Sequence, residues 1–533
     1  MTSNGTISAG PGRDLRVAIV GAGMSGICMA VKLRDAGFDR VEIFEKADDV
    51  GGTWRANRYP GIACDVPAAF YSYTFAPNPA WTRRFSPGEQ IHAYFRGVAE
   101  RTGVLGRIRF GTEVVAATFD GAEWLVETDD GERRVFDVVV AATGVLHHPR
   151  IPDIEGLDRF GGPVAHSARW RPEWTTAGRR VGVVGTGSTG VQIVTALSRS
   201  AASVTQFQRS AQWVIPVPDH AYSRPWRALL ARSARLRRFA YRNAAWQFSL
   251  FGRAVIRDGW ERRLIAGICR LNLRTVRDRD LRARLTPTDQ PLCRRLVMSA
   301  GYMRAVQRPH VDVVTDAIER VEPGAVVTAD GRRHELDALI LATGFDAHAF
   351  ARPMRITGRD GITLDDAWAD GPRAHGTTMV PGFPNLFLLM GPNSPIGNTS
   401  LVPIAEGQAD HAVTWMRRIA RGELTHVAPT TEATDAFNRR LREDMDGTVW
   451  VTGCTSWYIG PDGHPTMWPY DLASFYRMLR TPDDAEYVLD RATASAAVIR
   501  PPRVRSDPPP PAGPDPAGGV TPPPPGPAPA VDA

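Results

Sequence analysis

The sequence predicts an α/β fold made of two parallel-sheet units, the second inserted into the first. Three observations carry this expectation. Two buried-strand runs, residues 16–20 and 180–184, each lead into a glycine-rich turn. The turns read Gly21-Ala22-Gly23-Met24-Ser25-Gly26 and Gly185-Thr186-Gly187-Ser188-Thr189-Gly190, and a helical run follows each. A buried strand stopped at Ala-Thr-Gly occurs at residues 137–144 and returns at residues 336–344.

In the first unit Gly21 permits the tight turn, Gly23 lets a pyrophosphate approach the backbone, and Gly26 lets helix and strand pack closely. The helix from residue 27 to 35 offers free N–H groups to phosphate. Residues 41–44 form the next strand, and Glu45 ends it, 24 residues after Gly21. An acid there bonds ribose hydroxyls and repels a 2′-phosphate, so the site suits FAD or NAD. In the second unit the helix runs to about Ser198 and the next strand spans residues 203–207. Arg209 stands 24 residues after Gly185. A cation at that distance pairs with a 2′-phosphate, with Ser210 adding a hydroxyl, so this site suits NADPH. Two dinucleotide-binding, Rossmann-like domains are therefore expected.

Composition sets outer bounds. A chain of 533 residues with 43% hydrophobic and 23% charged residues has room for two or three globular domains. No apolar run approaches the eighteen residues of a spanning helix, and residues 1–12 lack the apolar stretch of a secretory signal. Cys28, Cys64, Cys269, Cys293 and Cys454 are scattered, with no Cys-x-x-Cys pair. That spacing argues against a zinc site or any other metal centre, a disulfide framework or a dithiol redox centre. A cytoplasmic enzyme is the expectation.

Between the two fingerprints lies Phe160-Gly161-Gly162-Pro163-Val164-Ala165-His166-Ser167-Ala168-Arg169-Trp170. Its spacing, Phe-x-Gly-x-x-x-His-x-x-x-Trp, resembles the signature of the type I Baeyer–Villiger monooxygenases. Gly51-Gly52-Thr53-Trp54, Tyr59-Pro60-Gly61 and Asp65 resemble a second signature of that family. The resemblance spans about residues 14–490. It implies a discontinuous FAD-binding domain (residues 14–146 and 334–490) around an NADP-binding domain (residues 147–333). It implies FAD contacts at Gly21, Gly23, Ser25, Gly26, Glu45, Thr53, Trp54, Asp65, Val114 and Leu401. NADP contacts are implied at Gly185, Thr186, Gly187, Ser188, Thr189, Gly190, Arg209, Ser210, Arg294 and Trp457. Phe160, Gly162, His166 and Trp170 take a positioning role, His166 without acid–base chemistry.

Pro291-Leu292-Cys293-Arg294-Arg295-Leu296 resembles the family segment that carries a catalytic arginine. Arg295 would be that residue, held by Asp65. The implied chemistry is reduction of FAD by NADPH and formation of a C4a-peroxyflavin. The peroxide then attacks a ketone or aldehyde, giving an ester or lactone. A fixed guanidinium stabilises both the anionic peroxide and the tetrahedral oxyanion. N- and S-oxygenating flavin monooxygenases use the same cofactors but usually carry Phe or Tyr where this chain has Trp170. A flavin-bearing, redox-responsive binding protein is a reading of another class.

Residues 222–285 read as two or three amphipathic helices inserted in the second unit. Residues 224–285 hold seventeen Arg against four acids, +13, so the rest of the chain carries −6 of the net +7. The expectation is a solvated face or a funnel for the anionic cofactor, with the aromatic residues as packing. A nucleic-acid surface is not expected, and peripheral membrane contact is the less favoured reading. Residues 383–393 read as a strand ending in a Gly-Pro turn, and a helix follows from about residue 401 to 421. From Pro501 onward, fourteen of 33 residues are Pro and four are Gly, which predicts a disordered tail from about residue 491. Residues 1–13 are expected to be a disordered N-terminus.

Overall fold

The computed structural model describes residues 14–491 apart from Pro172, Asn398 and Thr455. Of the ends expected to be disordered, residues 1–13 and 491–533, all but Arg491 lie outside the described residues.

Two five-stranded parallel sheets organise the chain. In the first, Val17–Val20 is the central strand, flanked by Val41–Glu45 and Val138–Ala141. Ile108–Phe110 and Leu386–Leu388 complete it, so the chain returns to this sheet after building the other. In the second, Arg180–Val184 is central between Ser203–Phe207 and Ala338–Leu341. Val311–Val314 and Val164–His166 are its edges. Val17–Val20 and Val138–Ala141 are buried throughout, which explains their unbroken apolar runs. In both sheets strand order reverses beside the central strand, and the glycine turn leaves at that reversal, where such folds open a ligand crevice.

The two halves repeat one another in detail. Arg16 donates its backbone N–H to Asp137, and Arg180 does the same to Asp337, both at 2.8 Å. Each half also carries an antiparallel hairpin closed by a Thr–Asp pair, Thr128 with Asp130 and Thr328 with Asp330. The chain leaves the first sheet after one Ala-Thr-Gly turn and the second sheet after the other, and the two passages are bound together. Arg150 N–H donates to the Gly344 carbonyl at 2.9 Å.

The excursion forms four helices: Arg224–Arg232, Ala234–Ile256, Trp260–Leu273 and Arg279–Arg284. Side-chain caps explain the extra boundaries. Ser233 accepts from Leu236 N–H and Asp278 from Leu281 N–H. The expectation that its aromatic residues are packing holds for Phe248, 3% exposed, and for the half-buried Tyr241 and Phe251. It fails for Trp226, Phe239, Trp246 and Trp260, which are exposed.

The reading against a disulfide framework is corrected at one pair. Cys293 and Cys454 are joined, with Cα atoms 6.1 Å apart. They stand 161 residues apart in sequence, so no local spacing could announce the bond. Closing a loop of that length stabilises the fold by roughly 5 kcal/mol in the chain-entropy account. The bond ties the Arg294–Arg295 segment to the segment bearing Trp457.

Helix Val402–Ala420 packs on helix Met24–Asp35, and its His411 is buried, 3% exposed. His411 Nδ1–H donates to the Leu479 carbonyl at 2.8 Å, and its Nε2 accepts from Trp415 Nε1–H at 3.2 Å. A second ring proton would face the indole N–H. Burial accordingly pushes His411 down from 6.5 to about 4.

Two outcomes follow. Below about pH 6.5 the unfolded chain binds a proton that folded His411 refuses until about pH 4. Stability is therefore full above that window and falls through it, by about 3 kcal/mol from this residue. Urea unfolding at neutral and acid pH should show a shallower fall in His411→Asn; an equally steep fall would reject the assignment. Alkylation of the unfolded, unreduced protein should label only Cys28, Cys64 and Cys269, the free cysteines. Labelling of all five would show the bond absent.

Candidate active site

Each glycine turn is shaped by a neighbouring backbone. Gly21 has φ +104°, and a Cβ there would lie 2.7 Å from the Ala142 carbonyl oxygen. Gly185 has φ +123°, and its Cβ would lie 2.3 Å from the Ala342 oxygen. Gly26 and Gly190 cross the turn just as closely, with Cβ positions 1.8 and 2.4 Å from the Gly21 and Gly185 oxygens. Only glycine fits these four places. The space around Gly187 is open within 4 Å, and Gly23 faces only Gly52. The following helices, Met24–Asp35 and Ser188–Leu197, have neither a side-chain cap nor an acid in the first turn. Their leading N–H groups are left for an anion, which fits a pyrophosphate at each turn.

The acid of the first site is fixed. Glu45 is buried and accepts from Ala22 N–H at 2.8 Å and Ala47 N–H at 2.9 Å. Carboxylate lone pairs remain for ribose hydroxyls. The comparison with the second site needs correction. Val20 pairs with Phe44, and Val184 pairs with Phe207. The residue in Glu45's place is therefore Gln208, and Arg209 lies one position further, exposed. The equal count of 24 residues conceals a one-residue difference in loop length. The chemical consequence is kept: a neutral amide replaces the acid and a cation follows it. Ser210 lies beside Arg209; its carbonyl accepts from Thr186 Oγ1 at 2.8 Å and its hydroxyl from Arg294 Nη1 at 2.8 Å. Arg294 Nε also pairs with Asp289 at 2.5 Å.

The two sites are latched together. The Tyr59 hydroxyl donates to Gln192 Oε1 at 2.9 Å, and Gln192 Nε2–H donates to the Ala63 carbonyl at 2.9 Å. Thus the Tyr59-Pro60-Gly61 turn sits on the helix of the second fingerprint, whose Thr189 lies 3.4 Å from the same hydroxyl. Trp170 is buried in a cluster with Tyr59 and Val181. His166 ends the edge strand Val164–His166. Its Nε2–H donates to the Gly344 carbonyl at 3.0 Å, and its Nδ1 accepts from Ala168 N–H at 3.2 Å. Burial lowers its basicity, so it is held neutral against the crossing turn. Phe160 is buried behind the same sheet, and a Cβ on Gly162 would strike the Asp337 oxygen at 2.3 Å.

Arg295 and Asp65 meet across 230 residues of chain. Nε donates to Oδ2 at 3.0 Å, and Nη2 donates to both carboxylate oxygens at 2.8 Å. Their side chains are 27% and 15% exposed, so the guanidinium is enclosed but not sealed. Burial alone would lower Arg295; the Asp65 carboxylate outweighs it and raises it. Two residues not singled out from sequence complete the surroundings. The Tyr458 hydroxyl is buried beside Arg295 without completing a hydrogen bond of good geometry. Burial pushes it up to about 12, while Arg295 draws it back. Tyr71 accepts from Trp54 Nε1–H at 3.0 Å, and burial drives its hydroxyl upward as well. Tyr458 adjoins Trp457, which offered a signal; Tyr71 had none.

The remaining candidates are more scattered. Trp457 is half-buried with its ring 4.5 Å from that of Tyr458. Thr53 is exposed at the start of the short helix Thr53–Ala56, and Ser25 is buried in the first fingerprint helix. Leu401 precedes helix Val402–Ala420. Val114 opens the strand Val114–Phe119 of a separate four-stranded sheet, buried there, paired with Thr128.

Comparison with known proteins agrees with this geometry. A model of the flavin-binding monooxygenase-like family matches residues 14–354. An uncharacterized monooxygenase of Mycobacterium tuberculosis is 51% identical over 490 residues, 92% of this chain and 99% of the relative. A Baeyer-Villiger monooxygenase of Streptomyces coelicolor is 40% identical over 483 residues, covering 89% and 92%. The crystal structure of cyclohexanone monooxygenase from Rhodococcus sp. Phi1 bound to NADP+ matches with a TM-score of 0.80 at 29% identity, covering 90% of this chain and 99% of that one. Two fingerprints at equivalent sheet reversals and these likenesses lead to one conclusion: the chain belongs to the flavin-binding monooxygenase family, within its Baeyer–Villiger group, and works with FAD and NADP.

Proposed function

We propose that this chain inserts one atom of molecular oxygen beside the carbonyl of a ketone or aldehyde, giving an ester or lactone. NADPH supplies two electrons and the second oxygen atom leaves as water. The observation that carries this reading is the bidentate hold of Asp65 on Arg295. FAD, when bound at the first turn, accepts hydride and activates oxygen. Asp65 keeps the guanidinium in one plane and one place. Arg295 offers N–H donors to negative charge that develops at the carbonyl oxygen, and its charge is permanent. Arg209, Ser210 and Arg294 receive the 2′-phosphate of NADPH. His166, neutral and doubly bonded, holds the crossing turn rather than moving a proton.

Purified protein should oxidise NADPH faster with some members of a ketone panel and yield the matching ester. Oxygenation of a thioether with no ester from any cyclic ketone would support the heteroatom-oxygenating reading instead. Arg295→Ala should still accept hydride from NADPH but form no ester; ester at the normal rate would remove Arg295 from this role. Asp65→Ala leaves an enclosed charge unpaired and should cost roughly 3 kcal/mol of stability as well as turnover. Arg209→Ala should raise KM for NADPH by about tenfold, the worth of one charge-assisted phosphate contact, with little change for NADH. Equal effects on both reductants would place the 2′-phosphate elsewhere.

A further inference from the structure

Helices Ala234–Ile256 and Trp260–Leu273 carry a pattern that oxygenation does not explain. Each buries one face in the same core, through Phe248 and Val255 on one and Ile265 and Cys269 on the other. The opposite face of a surface helix is ordinarily polar. Here Trp260, Leu264 and Leu271 line it, 57%, 51% and 65% exposed, at spacings of four and seven residues. Phe239 and Trp246, 65% and 61% exposed, stand seven residues apart on the outward side of the longer helix. The two helices pack against each other, and the outward stripe of each is exposed. Apolar groups gathered this way mark a contact surface.

Charge identifies the partner. Helices Arg224–Arg232 and Ala234–Ile256 contain no acid at all. At the far end of Trp260–Leu273 a cavity of about 360 Å³ is lined by Arg270, Arg274, Arg279 and Arg282 beside Trp213. The ion pairs of this stretch involve Arg253 and Arg284 instead, so among the described residues those four have no carboxylate partner. Among the described residues no helix is long and apolar enough to cross a membrane.

We propose that this face docks on an anionic phospholipid bilayer. The Trp, Phe and Leu side chains enter the headgroup–acyl boundary, and the four-arginine cavity takes a lipid phosphate. A second copy of the chain fits less well, because a two-fold contact would set arginine against arginine. Nucleic acid fits less well, because Leu264 and Leu271 offer neither a stacking plane nor a hydrogen bond. The inner side of the same helices packs Tyr241 and Phe248 on Phe70, within 5.4 and 6.3 Å between ring centres, in the core that also holds Cys293 and Leu296. This inference does not depend on the reaction proposed above.

The test is co-sedimentation of the purified full chain with vesicles of phosphatidylcholine alone or mixed with phosphatidylglycerol. Binding should be at least about tenfold tighter to the mixed vesicles, as several arginines near an anionic surface require. It should weaken as salt rises from about 0.05 M to about 0.5 M. Tryptophan emission should shift to shorter wavelength on binding. Leu264→Gln with Leu271→Gln should lower binding about tenfold, the loss expected from two interfacial leucines, while NADPH oxidation is unchanged. Arg274→Gln with Arg282→Gln should lower binding to the mixed vesicles alone. The proposal fails if the two vesicle types bind equally or not at all. It also fails if the leucine pair is silent, if duplex DNA binds more tightly than the mixed vesicles, or if the leucine pair abolishes a dimer instead.

Discussion

A guanidinium and a carboxylate 230 residues apart in the chain set the terms for everything around them. Neither charge would rest in this enclosure alone. Removing either leaves the other desolvated and unpaired, a far larger penalty than the net worth of the pair. The pair therefore fixes how the Cys64–Asp65 segment lies against the Arg294–Arg295 segment. The first segment follows the first glycine turn in the sequence and the second follows the second turn, so one ion pair links the two halves of the chain.

Other contacts keep that relation from drifting. The Tyr59 turn bonds the helix of the second fingerprint through Gln192. His166 bonds the crossing turn at Gly344. The Cys293–Cys454 bond holds the arginine segment to the stretch that bears Trp457 and Tyr458. Each link joins segments more than a hundred residues apart in the chain. Adjacent arginines divide the work: Arg294 turns to Ser210 and Asp289, Arg295 to Asp65. Arg295 is thus held in place by contacts from distant segments, which is what the proposed charge stabilisation needs.

The chain departs from local expectation where tertiary context intervenes. Arg209 and Glu45 lie equally far from their fingerprints in sequence, yet strand pairing puts Gln208 in Glu45's place. Counting residues cannot see a loop that is one residue shorter. The arginine-rich helices read as ordinary amphipathic elements, because helical periodicity shows that a face is apolar but not whether that face turns inward. Burial separates Phe248 from Phe239 and Trp246 on a single helix.

The sequence by itself determined the two parallel sheets, the glycine turns and the acid at Glu45. Strand and helix periodicity and the steric demands of glycine act over a few residues. Motif resemblance also drew attention to Asp65, Arg295, His166 and Trp170 before any geometry was known. The same resemblance implied that Asp65 holds Arg295. Only the tertiary structure decided that Tyr458 and Tyr71 stand beside that pair, that Cys293 bonds Cys454 and that a tryptophan–leucine stripe faces outward. Those facts depend on contacts between residues more than a hundred positions apart, or on which side of a helix the core lies, and no local rule encodes either.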